Sequence, residues 1–206
     1  NYQGPGPAPL QSLLQERLDE RRDLLRRFRD RTDTDRGPMV QRLDRYYEKA
    51  YSLVTSPLAR EAFRLDKEPE SMRRKYGIGE QALSGDTKLS HLCASMLLAR
   101  RLIEAGSKFV TVIWDAYGLN AGSWDTHHNH FPRLKNHLLP VFDHTFASLI
   151  LDLEERGMLD ETLVLVISEH GRTPKIDSKP KGAGRNHWSR VYSQVYAGGG
   201  LGRGNV

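Results

Sequence analysis

The chain has 206 residues, 38% of them hydrophobic and 28% charged, with a formal net charge of +5. That is enough for one ordinary domain with its own core plus a helical appendage. A single cysteine, Cys93, excludes an internal disulfide framework, and no apolar run approaches the ~20 residues of a membrane-spanning helix.

Past a Pro/Gly-rich lead (residues 1–9), Leu10, Leu13, Leu14, Leu18, Leu24, Leu25 and Phe28 recur at helical spacing. Seven arginines and five acids share residues 16–31, so the outer face is mixed-charge and the helix is expected to be structural. Gly37-Pro38 breaks it and opens a second helix with Met39, Leu43, Tyr46, Tyr47, Ala50 and Tyr51; the tyrosines read as a packing face. Ser56-Pro57 is a cap and first-turn pair for a short third helix, Leu58 to Leu65. Residues 66–86 read as polar and turn-rich around Gly77, Gly79 and Gly85. Residues 1–83 are therefore expected to form a mainly helical segment, and residues 84–206 an α/β core.

That core is expected to begin with a long helix marked by Leu89, Leu92, Cys93, Met96, Leu97 and Ile103 and ended by Gly106. Cys93 falls on the apolar stripe and His91 off it. Lys108 to Trp114 reads as a strand. A polar loop, Asp115 to Asn129, leads into a helix from Phe131 to Arg156, expected to kink at Pro140 and to stop at Gly157. His137 and His144 are expected on that helix's surface. Thr162 to Ile167 reads as a second, fully buried strand and Val191 to Tyr196 as a third. Strand, crossover helix, strand predicts a βαβ unit with parallel strands.

In such a sheet ligands bind beyond the carboxyl ends of the strands. The loop after the first strand carries Asp125, His127, His128 and His130; the second strand runs into Glu169-His170, and a glycine-rich loop then delivers His187. Parallel strands would send both loops out at one sheet edge and gather carboxylates and imidazoles, a donor set that suits zinc and related divalent ions. Residues 171–190 also hold six basic side chains (Arg172, Lys175, Lys179, Lys181, Arg185, Arg190) against one acid, Asp177, which points to an anionic partner near the site. Arg172 has the chemistry to clamp a phosphate or sulfate oxygen. No aromatic-and-basic stripe accompanies these charges, so nucleic acid is not the expected partner.

At these residues the sequence resembles a known family. WDTH (Trp124 to His127), LLPVFD (Leu138 to Asp143), LDLEERGMLDETLV (Leu151 to Val164), SEHGRTPK (Ser168 to Lys175), GRNHW (Gly184 to Trp188) and AGGGLGRGNV (Ala197 to Val206) look like the bacterial domain of unknown function 1501 family. The resemblance implies membership of the alkaline phosphatase and sulfatase superfamily, and with it a three-layer α/β sandwich around a mainly parallel sheet. It implies a two-metal site, with Asp125, His127 and His187 on one ion and Glu169 and His170 on the other. Relatives in the superfamily commonly space the first ligand pair as Asp-x-x-x-His, which lands on Asn129 here, and many family members have Phe at the position of His170. The nucleophile and a further carboxylate ligand would lie upstream, so the chain is expected to be an internal to C-terminal fragment, catalytically silent alone.

These readings lead to an expectation: the metal-binding half of an exported, metal-dependent hydrolase of phosphate or sulfate esters. The divalent ion would be zinc first, with calcium or manganese as alternatives. Arg172 would bind the anionic ester, and export follows from the resemblance alone. The alternative is a non-catalytic member of the fold that binds an anionic polymer such as sulfated glycan.

Overall fold

A computed structural model of the chain describes residues 12–31, 37–79, 90–114, 124–178, 182–202 and 204. The chain divides into two compact units, residues 1–65 with 101–108, and residues 66–100 with 109–206.

The first unit is helical for the reasons its sequence gives. α1 (Ser12–Arg31) and α2 (Pro38–Thr55) flank the break at Gly37, and Pro38 opens α2 where its missing N–H costs nothing. The two helices are joined by charge: Arg22 meets Glu48 at 2.6 Å and Arg29 meets Asp44 at 2.7 Å. The tyrosines join in as polar and cation-bearing rings. The Arg22 guanidinium lies 4.3 Å from the Tyr51 ring centre, and the Tyr51 hydroxyl bonds Asp19. Tyr46 remains exposed, as do Phe28, Met39 and Leu43. α3 (Pro57–Ala62) starts on the Ser56 cap, whose Oγ accepts from the Ala59 amide. At its other end the Arg101 guanidinium donates to the carbonyls of Glu61 and Ala62.

The second unit has its core between α5 (Ser90–Glu104) and α7 (Leu139–Glu155). Leu92, Cys93 and Val141 form a buried cluster with Ile78, Met96, Val112 and Trp114 packed against it; His91 is exposed. A short helix, α4 (Glu70–Lys75), lies where the sequence reads as turns, since a single apolar residue, Met72, among five polar ones gives no apolar period to read. The backbone turns out of α5 at Gly106 and out of α7 at Gly157, both with positive φ. α6 (His130–Arg133) and α7 are joined by a π-helical turn, Leu134–Leu138. This widened turn takes the place of the expected simple kink: Pro140 has no N–H to return to the preceding turn, and a π-turn absorbs the mismatch. His144 is half-buried, its Nε2 2.9 Å from the Lys75 carbonyl, rather than free on the helix surface.

The same unit also buries a charged network. Arg100, 1% exposed, reaches Glu68 at 2.9 Å and Asp152 at 2.8 Å. Asp152 also accepts from the fully buried Tyr76 hydroxyl at 2.9 Å and from Arg156 at 2.8 Å. Burial and the neighbouring Asp152 push the Tyr76 hydroxyl far above its usual pKa, so it stays a donor. Tyr76→Phe is expected to lower stability by about 1–3 kcal/mol, because it removes a donor from a buried carboxylate. A shift of the urea midpoint with an unchanged slope is the readout; no shift would mean that Asp152 is satisfied without it.

The expected parallel sandwich is not formed. The described residues contain two short antiparallel ribbons: β1 (Val164–Val166) with β4 (Val195–Ala197), and β2 (Gly171–Arg172) with β3 (His187–Trp188). Lys108 to Trp114 keeps a strand-like alternation, with Val110, Val112 and Trp114 half-buried and Phe109, Thr111 and Ile113 exposed. Even so, it enters no ladder among the described residues, so the βαβ unit fails at its first strand. β1 is likewise one-faced: Leu163, Leu165 and Ile167 are 46–64% exposed. A continuous apolar run therefore marks a half-covered ribbon here and not a buried central strand. The expected loop from Asp115 to Ser123, the turns from Glu80 to Asp86 and the helix residue Leu89 lie outside the described residues. No described helix is long and apolar enough to cross a membrane.

Candidate metal centre

The centre is assembled from two segments, Trp124–His130 and the hairpin that runs from His170 to Trp188. In the hairpin, Arg172 stands opposite His187 and Gly171 opposite Trp188. The pairing continues through Thr173 N to Asn186 O and through two bonds between Asp177 and Gly184. This antiparallel return brings His187 back beside the start of the loop.

The second segment is pinned to the hairpin by its main chain. The His130 amide donates to the Ala183 carbonyl at 3.0 Å. A Cβ on Gly184 would sit 1.7 Å from the His127 carbonyl oxygen, so only glycine permits that approach. Thr126, buried, has its Oγ1 2.6 Å from His130 Nδ1. Trp124 anchors the start of the segment by edge-on contacts with Trp114 and Phe142.

Between the two segments, Asp125, His127 and His187 converge. Asp125 Oδ1 lies 2.9 Å from His127 Nδ1 and 2.8 Å from His187 Nε2. One ligand atom from each of the three residues falls within 4.8 Å of the others. Ligands on a tetrahedral ion with ~2.0–2.1 Å bonds stand about 3.4 Å apart, so small side-chain movements suffice to admit one. Two imidazoles and a carboxylate are also the right chemistry for a divalent ion of borderline softness. The donor set fits one metal.

The other expected ligands do not join it. His170 is exposed, its ring stacked 5.3 Å from that of His187, and Glu169 and His128 are exposed. Among the described residues, Asp125, His127 and His187 form the one group of three candidate ligands, and Glu169 and His170 belong to no second group.

Arg172 points into the site. Its Nη2 donates to Asp125 Oδ1 at 3.0 Å and to the Trp124 carbonyl at 2.8 Å, and its Nη1 donates to the Arg185 carbonyl at 3.3 Å. Arg133, from α6, donates to the Asp125 carbonyl at 3.3 Å. Sequence reasoning missed Arg133, because nothing local distinguishes it from an ordinary helix arginine. The surroundings are electropositive. His130 is held below its usual pKa by burial first, then by the charges of Arg185, Arg172 and Arg133.

The same donors hold Asp125 at a pKa of about 2; the His187 hydrogen bond contributes most, burial opposes it, and Arg172 and His127 add to it. A depressed carboxylate contributes stability above its unfolded value, near 3.8, and that contribution is lost as the pH falls toward 2. Asp125 is more than half exposed, so solvent screening keeps the contribution small. The sharper expectation is spectroscopic. Carboxyl carbon NMR should show the Asp125 titration moving upward in His187→Ala and, by less, in Arg172→Ala. An unmoved titration would mean that neither contact persists in solution.

A family model described as "Protein of unknown function (DUF1501)" matches residues 7–206. No curated protein and no solved structure matches the chain.

Proposed function

The chain belongs to the DUF1501 family, a grouping with no assigned activity, and we propose from its site geometry that it binds one divalent ion, zinc by preference, and presents it to the anionic group of a phosphate or sulfate ester. The observation that carries this reading is the convergence of Asp125 with His187, 62 positions apart, through a hairpin and a main-chain contact that serve no evident purpose in the core. Asp125, His127 and His187 would hold the ion. Calcium, which takes 6–8 oxygen ligands, fits two imidazoles poorly. A bound divalent ion would supply Lewis-acid polarisation of an ester oxygen. Arg172, Arg133 and Arg185 add fixed positive charge around that position and favour an anion over a neutral substrate.

Two measurements on the purified protein test the proposal. Metal analysis after dialysis against zinc should give about one ion per chain, and an Asp125→Ala control treated in the same way should retain none. Turnover of an aryl phosphate and an aryl sulfate then separates a hydrolase from a binder. Equal zinc retention by protein and control would remove the reading. Zinc without turnover of either ester would favour the second reading, capture of an anionic polymer. That reading draws on the exposed Lys175 and Arg190, which extend the positive surface along the hairpin.

A further inference from the structure

The geometry points to Arg172 as an internal counter-cation that couples the two ligands of this site: it occupies Asp125 in the metal-free protein and is freed to bind a tetrahedral oxyanion when the metal arrives. This inference rests on the proposed metal site and goes beyond it by making metal and oxyanion binding mutually dependent.

The argument begins with one oxygen atom. Asp125 Oδ1 is contacted by His127 Nδ1 at 2.9 Å, His187 Nε2 at 2.8 Å and Arg172 Nη2 at 3.0 Å. To ligate a metal, both ring nitrogens must present lone pairs and not N–H groups. Two of the three donors at that oxygen are then lost and the carboxylate turns to the ion. Arg172 is left beside a divalent cation, with Arg133 and Arg185 already close enough to act on the same histidine, His130. Of its present contacts, only those to the Trp124 and Arg185 carbonyls survive the exchange.

Charge selects the second ligand. Without metal, the Asp125 carboxylate and the Arg172 guanidinium offset each other. With metal, the same two groups and the ion sum to +2, in a site whose neighbours are also cationic. An oxyanion with two or more oxygens matches that excess: one edge can meet the ion while another meets the guanidinium fork. A halide carries too little charge and has only one point of contact. Linkage then requires each ligand to tighten the other by the same factor.

The experiment measures zinc affinity by competition with a chromogenic chelator calibrated in two buffers of equal ionic strength, one chloride and one sulfate. For the unmodified protein, zinc should bind about 5–150-fold more tightly in sulfate, the usual range for coupled sites. Sulfate affinity should rise by the same factor when zinc is present. Arg172→Ala should bind zinc more tightly than the parent in chloride, since the competing cation is gone, and should show no sulfate effect. Arg172→Gln, which keeps a donor for the Trp124 carbonyl without the charge, should behave the same way and guards against a loosened hairpin in the alanine variant. Equal zinc affinity in the two buffers for the unmodified protein overturns the coupling. A sulfate effect that survives in folded Arg172→Gln overturns the role of Arg172. Zinc binding no tighter than that of His187→Ala in either buffer overturns the metal site itself, a different failure with a different readout.

Discussion

His187→Ala is expected to abolish tight zinc binding while leaving the fold in place. The imidazole is exposed, and its polar contact is with Asp125, so truncating it opens no core cavity. It does remove one of three ligands. The loss should exceed the roughly 10–100-fold that removal of an outer partner of a metal ligand costs. His170→Ala is the informative comparison. Its ring stacks on His187 without joining the ligand group, so its effect should stay at or below that range, and the stoichiometry should stay at one. Should His170→Ala or Glu169→Ala instead halve the metal content, a second ion would have to lie on that side of the hairpin.

The largest effect on stability is expected from Arg100→Leu, at about 3–5 kcal/mol, the usual result of removing one partner from a buried ionic network. Arg100, Glu68 and Asp152 are all buried, and the guanidinium stands between the two carboxylates. The pH dependence has a definite sign. In the parent, burial pushes the Asp152 carboxyl upward but is outweighed by Arg156, Tyr76 and Arg100, which together hold it below its usual value. That contribution is present above the unfolded value near 3.8 and is lost as the pH falls through the folded one. In the variant the depression weakens, so the gap between the two proteins should narrow as the pH falls below about 3.8. Urea unfolding at neutral pH and near pH 3 measures this. A loss under about 1 kcal/mol, or a gap that widens in acid, would show that the network is hydrated in solution.

How much of this was legible in the sequence depends on which physical signal each part leaves. α1, α2, α5 and α7 were legible because an apolar stripe with a glycine or proline at its end is a local signal. α4 was not, since Glu70 to Lys75 has no stripe to read. The sheet was misread for a related reason. Leu163 to Ile167 is uniformly apolar, and uniformity says nothing about how many neighbours a strand has; among the described residues β1 has a single antiparallel partner in β4. The candidate ligands Asp125, His127 and His187 were legible as residue types, but the expected cause of their meeting was wrong. They do not leave one edge of a parallel sheet. The pairing of β2 with β3 returns His187, and the glycine at 184 lets the two backbones touch. Neither is visible from spacing alone. The Arg172 to Asp125 contact is likewise long-range, joining residues 47 positions apart.

The contact between Gly184 and the His127 carbonyl has a use in protein engineering. Main-chain atoms hold the two halves of the centre together: the Gly184 approach and the His130 to Ala183 bond both spare the candidate ligand side chains. Side-chain identity and backbone position are therefore separable. Cysteine at 127 or 187 would soften the donor set toward copper(I), and aspartate would harden it toward manganese, each on a frame that does not depend on the residue replaced. The same frame is fragile at position 184, where a single methyl group would push the halves apart without altering any candidate ligand.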